Sequence, residues 1–297
     1  LVWKTRGRQF DSASGHNMEN LVVLPNFLNP YKVKNLIRLG KNNDGGYIVN
    51  AIDVNNTKNL ISLGISFDYS FEEDFLKMNN KTNVRTYDGS VGFKYYRKKS
   101  KYRIKSFLLK PSMKTFRNVI EGLNLLLKFS IFFKFNLFRK IVHTEKFVTS
   151  DTSSFKDFEK GYGYEPKFIE FNNIISHKLN SVFLSIDIEG GEYELLEDIC
   201  RFSKNLIGLN IEFHNVQDNL EKIESFIKRF DLLLIHTHIN NFGQIVKGIP
   251  SVVELTFSRH SEIDSFSNIK LTNKLPIKLD QPNNADGIDY RITFHKL

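Results

Sequence analysis

Asp187, Glu212, His214 and His238 are the residues whose types and spacing could carry out chemistry. Asp187 lies in Ser185-Ile186-Asp187-Ile188-Glu189-Gly190-Gly191-Glu192, directly after the apolar run Val182-Phe183-Leu184. Apolar β-formers leading into a carboxylate pair and then two glycines read as a buried parallel strand and its C-terminal edge. The two-residue period of a strand puts Ser185, Asp187 and Glu189 on one face. Carboxylates at such an edge cost solvation energy unless they have work to do. A turn with helix-capping acids is the plainer reading, and it is sufficient for Glu192 and Glu194. Glu212 and His214 alternate within Leu206–Asn215, and His236 and His238 alternate within Asp231–Asn241, so each pair shares a strand face. Neighbouring strands lie about 5 Å apart, which lets Asp187, Glu212 and His214 share a divalent ion, whereas His238 falls roughly 10 Å further on if one strand intervenes. Two kinds of chemistry fit. A histidine near neutral pKa can act as a base, or carboxylates can hold a metal that acidifies a hydroxyl.

The elements that must position these groups alternate between strand and helix, which predicts a doubly wound α/β sheet. Asn59-Leu60-Ile61-Ser62-Leu63-Gly64 reads as the first sheet strand, a glycine turn follows, and Phe71–Leu76 begins a helix for which Ser70 and Glu73 have capping-box spacing. The turn is not Gly-x-Gly-x-x-Gly, so the dinucleotide fingerprint is absent. Lys81–Ser90 is the second strand and ends in Asp88, at a distance from Gly64 where Rossmann-like sites bind ribose hydroxyls; a strand-ending Asp-Gly turn is the alternative. Leu36–Val49 reads as a β-hairpin around Asn42-Asn43-Asp44-Gly45-Gly46, with Arg38 and Asp44 near enough to its turn to reach a ligand cleft. Residues 219–230 predict a helix with Leu220, Ile223, Phe226 and Ile227 as its core stripe. Ser251–Phe257 and Tyr290–Phe294 read as further strands, and residues 1–30 as an approach segment.

The 297 residues are 41% hydrophobic, enough for a full core, and the single cysteine, Cys200, excludes an internal disulfide and fits a reducing compartment. Leu1–Arg6 do not read as a signal peptide, and a start at Leu1 is expected of a piece of a longer protein. No uncharged run reaches the roughly 18 residues of a membrane span. The net charge of +9 is unevenly placed: residues 93–146 hold 15 Lys and Arg against 2 acids, and the rest of the chain is slightly acidic. Within that segment Tyr95–Arg103 interleaves aromatics with cations, and Leu123, Leu126, Leu127 and Ile131 fall at helical spacing. The pattern suits an anionic surface, or equally a helical insertion with its lysines in water.

Four stretches taken in order carry a resemblance: Arg38 to Tyr47 with its Asp-Gly-Gly-Tyr; Leu63-Gly64-Ile65 through Ser70-Phe71-Glu72; Asp187-Ile188-Glu189-Gly190; and Glu212-Phe213-His214. His238-x-Asn240-Asn241, Glu254-Leu255-Thr256-Phe257 and the Leu279–Asn283 piece extend it. Together these resemble the FkbM-like S-adenosylmethionine-dependent methyltransferases, especially those linked to bacterial surface-sugar modification. The resemblance implies a Rossmann-like class I methyltransferase fold, a doubly wound seven-stranded sheet with strand seven antiparallel. It implies S-adenosylmethionine as cofactor beside Gly64, Asp68, Asp88 and Asp187, and O-methylation of a sugar or phosphorylated glycan in capsule or surface-polysaccharide biosynthesis. Asp187, His214 and His238 are the expected catalytic residues. Asp187, Glu212 and His214 are the expected ligands if a Mg or Mn ion takes part. Residues 1–58 are expected as an N-terminal segment with the hairpin and 59–297 as the methyltransferase domain, with a basic helical insertion at about 93–146 that falls outside the resemblance. The expected place is the cytoplasm, peripheral to the inner membrane if the basic segment meets anionic lipid; nucleic acid ranks lower as its partner because recognisable binding motifs are missing. The alternatives are a metal-dependent glycosyltransferase using Asp187-Ile188-Glu189 as an acid-x-acid motif, or a non-enzymatic basic module that binds membrane or nucleic acid.

Overall fold

The computed structural model describes residues 20–295 except 67, 139–140, 156–165, 177 and 261–274. The sequence places a Gly-Tyr-Gly-Tyr-Glu-Pro loop at 161–166, which lies outside the described residues up to position 165. Among the described residues the central sheet has seven strands: β1 (Asn59–Leu63), β2 (Asn83–Tyr87), β3 (Ile141–Thr144), β4 (Val182–Ile186), β5 (Leu206–His214), β6 (Leu233–Ile239) and β7 (Val252–Ser258). Their spatial order is β3-β2-β1-β4-β5-β7-β6. All neighbours are parallel except β7, which runs antiparallel to both β5 and β6. This is the α/β arrangement expected from the alternation of strands and helices, with the last sheet strand inserted in reverse.

β1, β4 and β5 are almost wholly buried because helices cover both faces of the parallel part of the sheet. In chain order the helices α1 (Ala51–Asn56) and α5 (Phe171–Ile174) are short; α6 (Glu192–Arg201) contributes Leu195, Leu196 and Ile199 to one core cluster, and α7 (Leu220–Arg229) adds Ile223 and Phe226. A second cluster forms under α2 (Ser70–Met78), where Phe71 and Phe75 meet Phe183 of β4.

Leu36–Gly40 and Gly46–Asn50 pair as the expected antiparallel hairpin, with Asn43 and Gly45 at positive φ in its turn. The hairpin is fastened to α2: Gly40 N donates to Asp74 Oδ2 (3.0 Å) and Lys41 N to Ser70 Oγ (2.8 Å). Ser70 is thus the first residue of the helix and not its cap, and Asp68 Oδ1 accepts the Ser70 N–H at 3.0 Å.

Three strands near or outside the edge of the sheet add to the sequence reading. Ile141–Thr144, at the end of the basic segment, is the edge strand of the sheet, so the helical part of that segment stops at the helices Phe93–Leu109 and Met113–Phe138. After a tight turn, Phe147–Thr149 leaves the sheet and pairs with Phe168–Glu170. The last strand, Arg291–Phe294, also lies outside the central sheet and pairs in parallel with Leu21–Leu24.

Candidate active site

The site grows from the C-terminal ends of β4 and β5. β4 ends at Ile186, and Asp187 continues its ladder by one bond, N to Leu63 O at 2.9 Å. Strand alternation stops there. Ser185 is buried with Asn210 donating to its hydroxyl (2.9 Å), and Glu189 adopts φ +53 and turns its side chain toward solvent, 68% exposed. Gly64, at φ +80, passes directly beneath this turn, where a Cβ would overlap the Asp187 carbonyl. The glycine after β1 is therefore required by the close approach of two chains.

Helix α6 then fixes the end of β5. Glu192, its first residue, is fully buried: Oε1 accepts the His214 backbone N–H (2.6 Å) and lies 3.3 Å from His214 Nδ1, while Oε2 accepts the Gly190 N–H (2.8 Å). Tyr193 donates its hydroxyl to the His214 carbonyl at 2.6 Å. Glu192 reads in the sequence as a plain helix-capping acid. Its burial beside a glycine pair reveals the larger role, and only the fold brings His214 to it.

The second nitrogen of His214, Nε2, lies 3.4 Å from Glu212 Oε1, 3.6 Å from Glu189 Oε2 and 3.8 Å from Asp187 Oδ1. Donor atoms of Asp187, Glu212 and His214 fall within 4.8 Å of one another. Asp187 Oδ1 is enclosed and has no hydrogen-bond partner among the described residues. Burial, and then the Glu212 charge, push the Asp187 carboxyl well above its ordinary range. Burial pushes Glu212 up to about 7 against the pull of His214. For His214 burial alone would lower the imidazole, but hydrogen bonds to Glu192 and Glu212 outweigh it and hold the ring well above its usual value. An orphaned carboxylate oxygen among crowded acids is an environment that a cation relieves. Two carboxylates and one imidazole suit Mn more closely than the purely oxygen-seeking Mg.

These residues line an open cleft of about 350 Å³, completed by Asp44, Asn240, Phe242 and Val252. Asn240 Nδ2 donates to Glu212 Oε1 at 3.0 Å. Asp44 comes from the hairpin turn, as its position suggested, and Asn283 Nδ2 approaches it at 3.5 Å. Arg38 stays at home, donating to the Asn43 and Lys41 carbonyls of its own turn.

The structure does not bring His238 into this group. Its Nδ1 faces Glu254 Oε2 (3.2 Å) and its Nε2 faces Asp289 Oδ1 (3.1 Å), and the ring is buried. β7 does intervene, with Glu254 opposite both Glu212 and His238 in register. Asn283 donates to Glu254 Oε1 at 2.6 Å, so the residues 280–290 brace this second cluster. Neither Glu254 nor Asp289 is identifiable as a partner of His238 from spacing alone.

Asp88 is buried at the end of β2. Its Oδ2 accepts the Ser66 N–H (2.7 Å), and its Oδ1 accepts from Ser90 N (2.7 Å) and Ser90 Oγ (2.6 Å). These bonds hold the turn after β1 against the end of β2. A carboxylate has about four acceptor positions, so one remains for a ribose hydroxyl. Asp68 pairs with Lys41 Nζ at 2.6 Å near the same turn.

No protein-family model matches the chain, and no curated protein matches it. Among solved structures it overlaps precorrin-6y C5,15-methyltransferase from Geobacter metallireducens at 9% identity, over 70% of this chain and 87% of that one, with a TM-score of 0.30. It overlaps an O-methyltransferase described as putative from Klebsiella pneumoniae at 7% identity, over 70% and 76% of the two chains, with a TM-score of 0.29. Such distant overlaps do not bear on chemistry. By its own strand order, with β7 reversed between β5 and β6, the chain has the Rossmann-like fold of class I methyltransferases.

Proposed function

We propose that the protein is an S-adenosylmethionine-dependent O-methyltransferase acting on a sugar hydroxyl, in the manner of the surface-polysaccharide enzymes that its motifs resemble. The observation that carries this reading is the convergence of Asp187, Glu212 and His214 at the ends of β4 and β5, one strand from the Gly64–Asp88 turn. Parallel sheets of this kind bind ligands at their carboxyl ends. S-adenosylmethionine would be held by Asp88 and the turn after β1, and it supplies the sulfonium methyl. Asp187, Glu212 and His214 would hold a divalent ion, which would supply Lewis acidity to an acceptor hydroxyl. The chain's own part is alignment: Glu192 and Tyr193 fix His214 and Asn240 fixes Glu212, so that an acceptor oxygen would be held in place for methyl transfer. With the ion held by these three side chains, the hydroxyl proton would leave to solvent through the open cleft.

Four carboxylates line the cleft, namely Asp44, Asp187, Glu189 and Glu212. They favour a neutral hydroxyl over a phosphate at the reacting end, so any phosphate of a glycan acceptor belongs outside the cleft. The glycosyltransferase reading needs Asp187 and Glu189 as the metal pair; the exposed Glu189 is a poorer partner for Asp187 than the buried Glu212.

A thermal-shift experiment tests the proposal. S-adenosylhomocysteine is expected to raise the melting temperature, and UDP-sugars with Mn are expected to raise it no further than Mn alone. Stabilisation by a UDP-sugar with no response to S-adenosylhomocysteine would transfer the site to glycosyl transfer.

A further inference from the structure

The helices α3 (Phe93–Leu109) and α4 (Met113–Phe138) form a hairpin whose interactions are mainly with each other, and α4 meets the rest of the described fold chiefly at β3. The hairpin is closed by contacts between its arms. Arg103 reaches from α3 to the Asn118 carbonyl (3.2 Å) and Glu121 (3.4 Å), and the Phe107 and Phe116 rings lie 5.7 Å apart. Its turn is built rigidly. Ser112 N donates to Thr115 Oγ1 (2.9 Å), Thr115 N donates back to Ser112 Oγ (3.1 Å), and Thr115 Oγ1 donates to the Lys110 carbonyl (2.9 Å). These reciprocal bonds make a helix-start box, and Pro111 just before it prevents α3 from continuing.

This fixed turn presents large apolar side chains to solvent. Leu108, Leu109 and Met113 are 73%, 70% and 77% exposed. The exposure continues down α4 through Phe116, Ile120, Leu123 and Leu127, whose spacing of three and four places them on one helical face. Cations border the tip: Lys105, Lys110 and Lys114 are all exposed. Residues 101–124 hold six Lys and Arg against one acid. Arg97, Lys98 and Lys99, singled out in the sequence, have side chains outside the described residues, as do Leu126, Lys128 and Ile131–Phe135, and play no part here.

A contiguous apolar tip and stripe need a partner. A second copy of the chain would bring two basic surfaces together. Nucleic acid would match the charge but gain little from leucine and methionine. No helix among the described residues is long and apolar enough to cross a membrane. We propose that the α3–α4 turn is a docking surface for an anionic lipid bilayer, with Leu108, Leu109 and Met113 entering the headgroup region while the flanking lysines meet lipid charge. This goes beyond the methyl-transfer reading and does not depend on it.

The test is co-sedimentation of the full chain with phosphatidylcholine vesicles with and without phosphatidylglycerol, at low and high salt. Binding to the anionic vesicles only, weakened by salt, is expected. The L108S/L109S/M113S and K105S/K110S/K114S variants, shown folded by their melting curves, are each expected to bind about tenfold or more weakly. If a triple variant fails to fold, Leu109→Trp in a chain whose single tryptophan, Trp3, is changed to Phe reports the same event: brominated lipid should quench the introduced indole. No binding to anionic vesicles, or binding that leaves that indole unquenched, would overturn the proposal. So would salt-sensitive binding to an RNA oligonucleotide, or a concentration-dependent dimer, that survives the apolar substitutions while vesicle binding is absent.

Discussion

His214 is held from three sides before any ligand arrives: Glu192 takes its backbone N–H and faces Nδ1, Tyr193 caps its carbonyl, and Nε2 is left toward Glu212 and Asp187. Second-nitrogen contacts of this kind fix a histidine's orientation toward a metal. Asp187→Asn keeps the shape of the turn and removes the charge. It is expected to abolish measurable Mn binding by calorimetry and to reduce turnover by about 100-fold or more, with the unfolding midpoint within about 1 kcal/mol of the parent. Mn affinity unchanged in the folded variant would remove Asp187 from the ligand set. A second residue acts on stability. Glu72 is buried in α2, and burial raises its carboxyl from 4.5 to about 7. A group raised on folding contributes stability that is complete below its unfolded pKa and is lost as pH rises through the folded one. Between pH 4.5 and 7 the loss is on the order of 3 kcal/mol. Glu72→Gln should flatten this part of the profile, so urea unfolding at pH 8 should show the variant more stable than the parent, and at pH 4.5 close to it.

At the scale of elements, the turn after β1 joins three strands. Gly64 makes room for the Asp187 carbonyl, and Asp88 ties Ser66 down from β2. Gly64→Ala should therefore push β4 away from β1 and cost more than the usual φ penalty: a destabilisation of about 2 kcal/mol or more, read by chemical denaturation, with a matching loss at the Asp187 site. Asp88→Ala should weaken S-adenosylhomocysteine binding by about 1–3 kcal/mol in calorimetry while the fold persists. An unchanged affinity would confine Asp88 to holding the loop.

For the whole molecule, the two ends of the described chain are part of one structure. Leu21–Leu24 pairs in parallel with Arg291–Phe294, and Leu24 and Ile292 are buried in the main core cluster. Leu24→Ala is expected to cost about 2–5 kcal/mol in a urea titration, as a core truncation does. A cost near zero would make that strand an appendage. The residues 280–290 reach the same face from the other end: Asp280 meets His236 at 2.8 Å, Gln281 and Pro282 accept from Asn43, and Asn283 bridges Glu254 toward Asp44. They fix the hairpin turn that carries Asp44 into the cleft.

Local pattern by itself determined the strands that are buried on both faces, the helices with a clean apolar stripe, the hairpin and the edge where Asp187, Glu212 and His214 gather. In each case the information is carried by neighbours in sequence: β-formers in a run, residues at helical spacing, glycines where φ must be positive. The edge strand Ile141–Thr144 escaped because it follows an apolar and basic helix with no breaker between them. What only the tertiary structure decided were the partners. Glu192 looks like a capping acid until β5 delivers His214 to it, and Glu254 and Asp289 are seen to face the two nitrogens of His238 only once β7 and the residues 280–290 are in place. That Gly64 must also make room for the Asp187 carbonyl is visible only when the two chains are side by side. Burial and hydrogen bonding between residues from 16 to 123 positions apart set these roles, and no local pattern encodes which distant group will arrive.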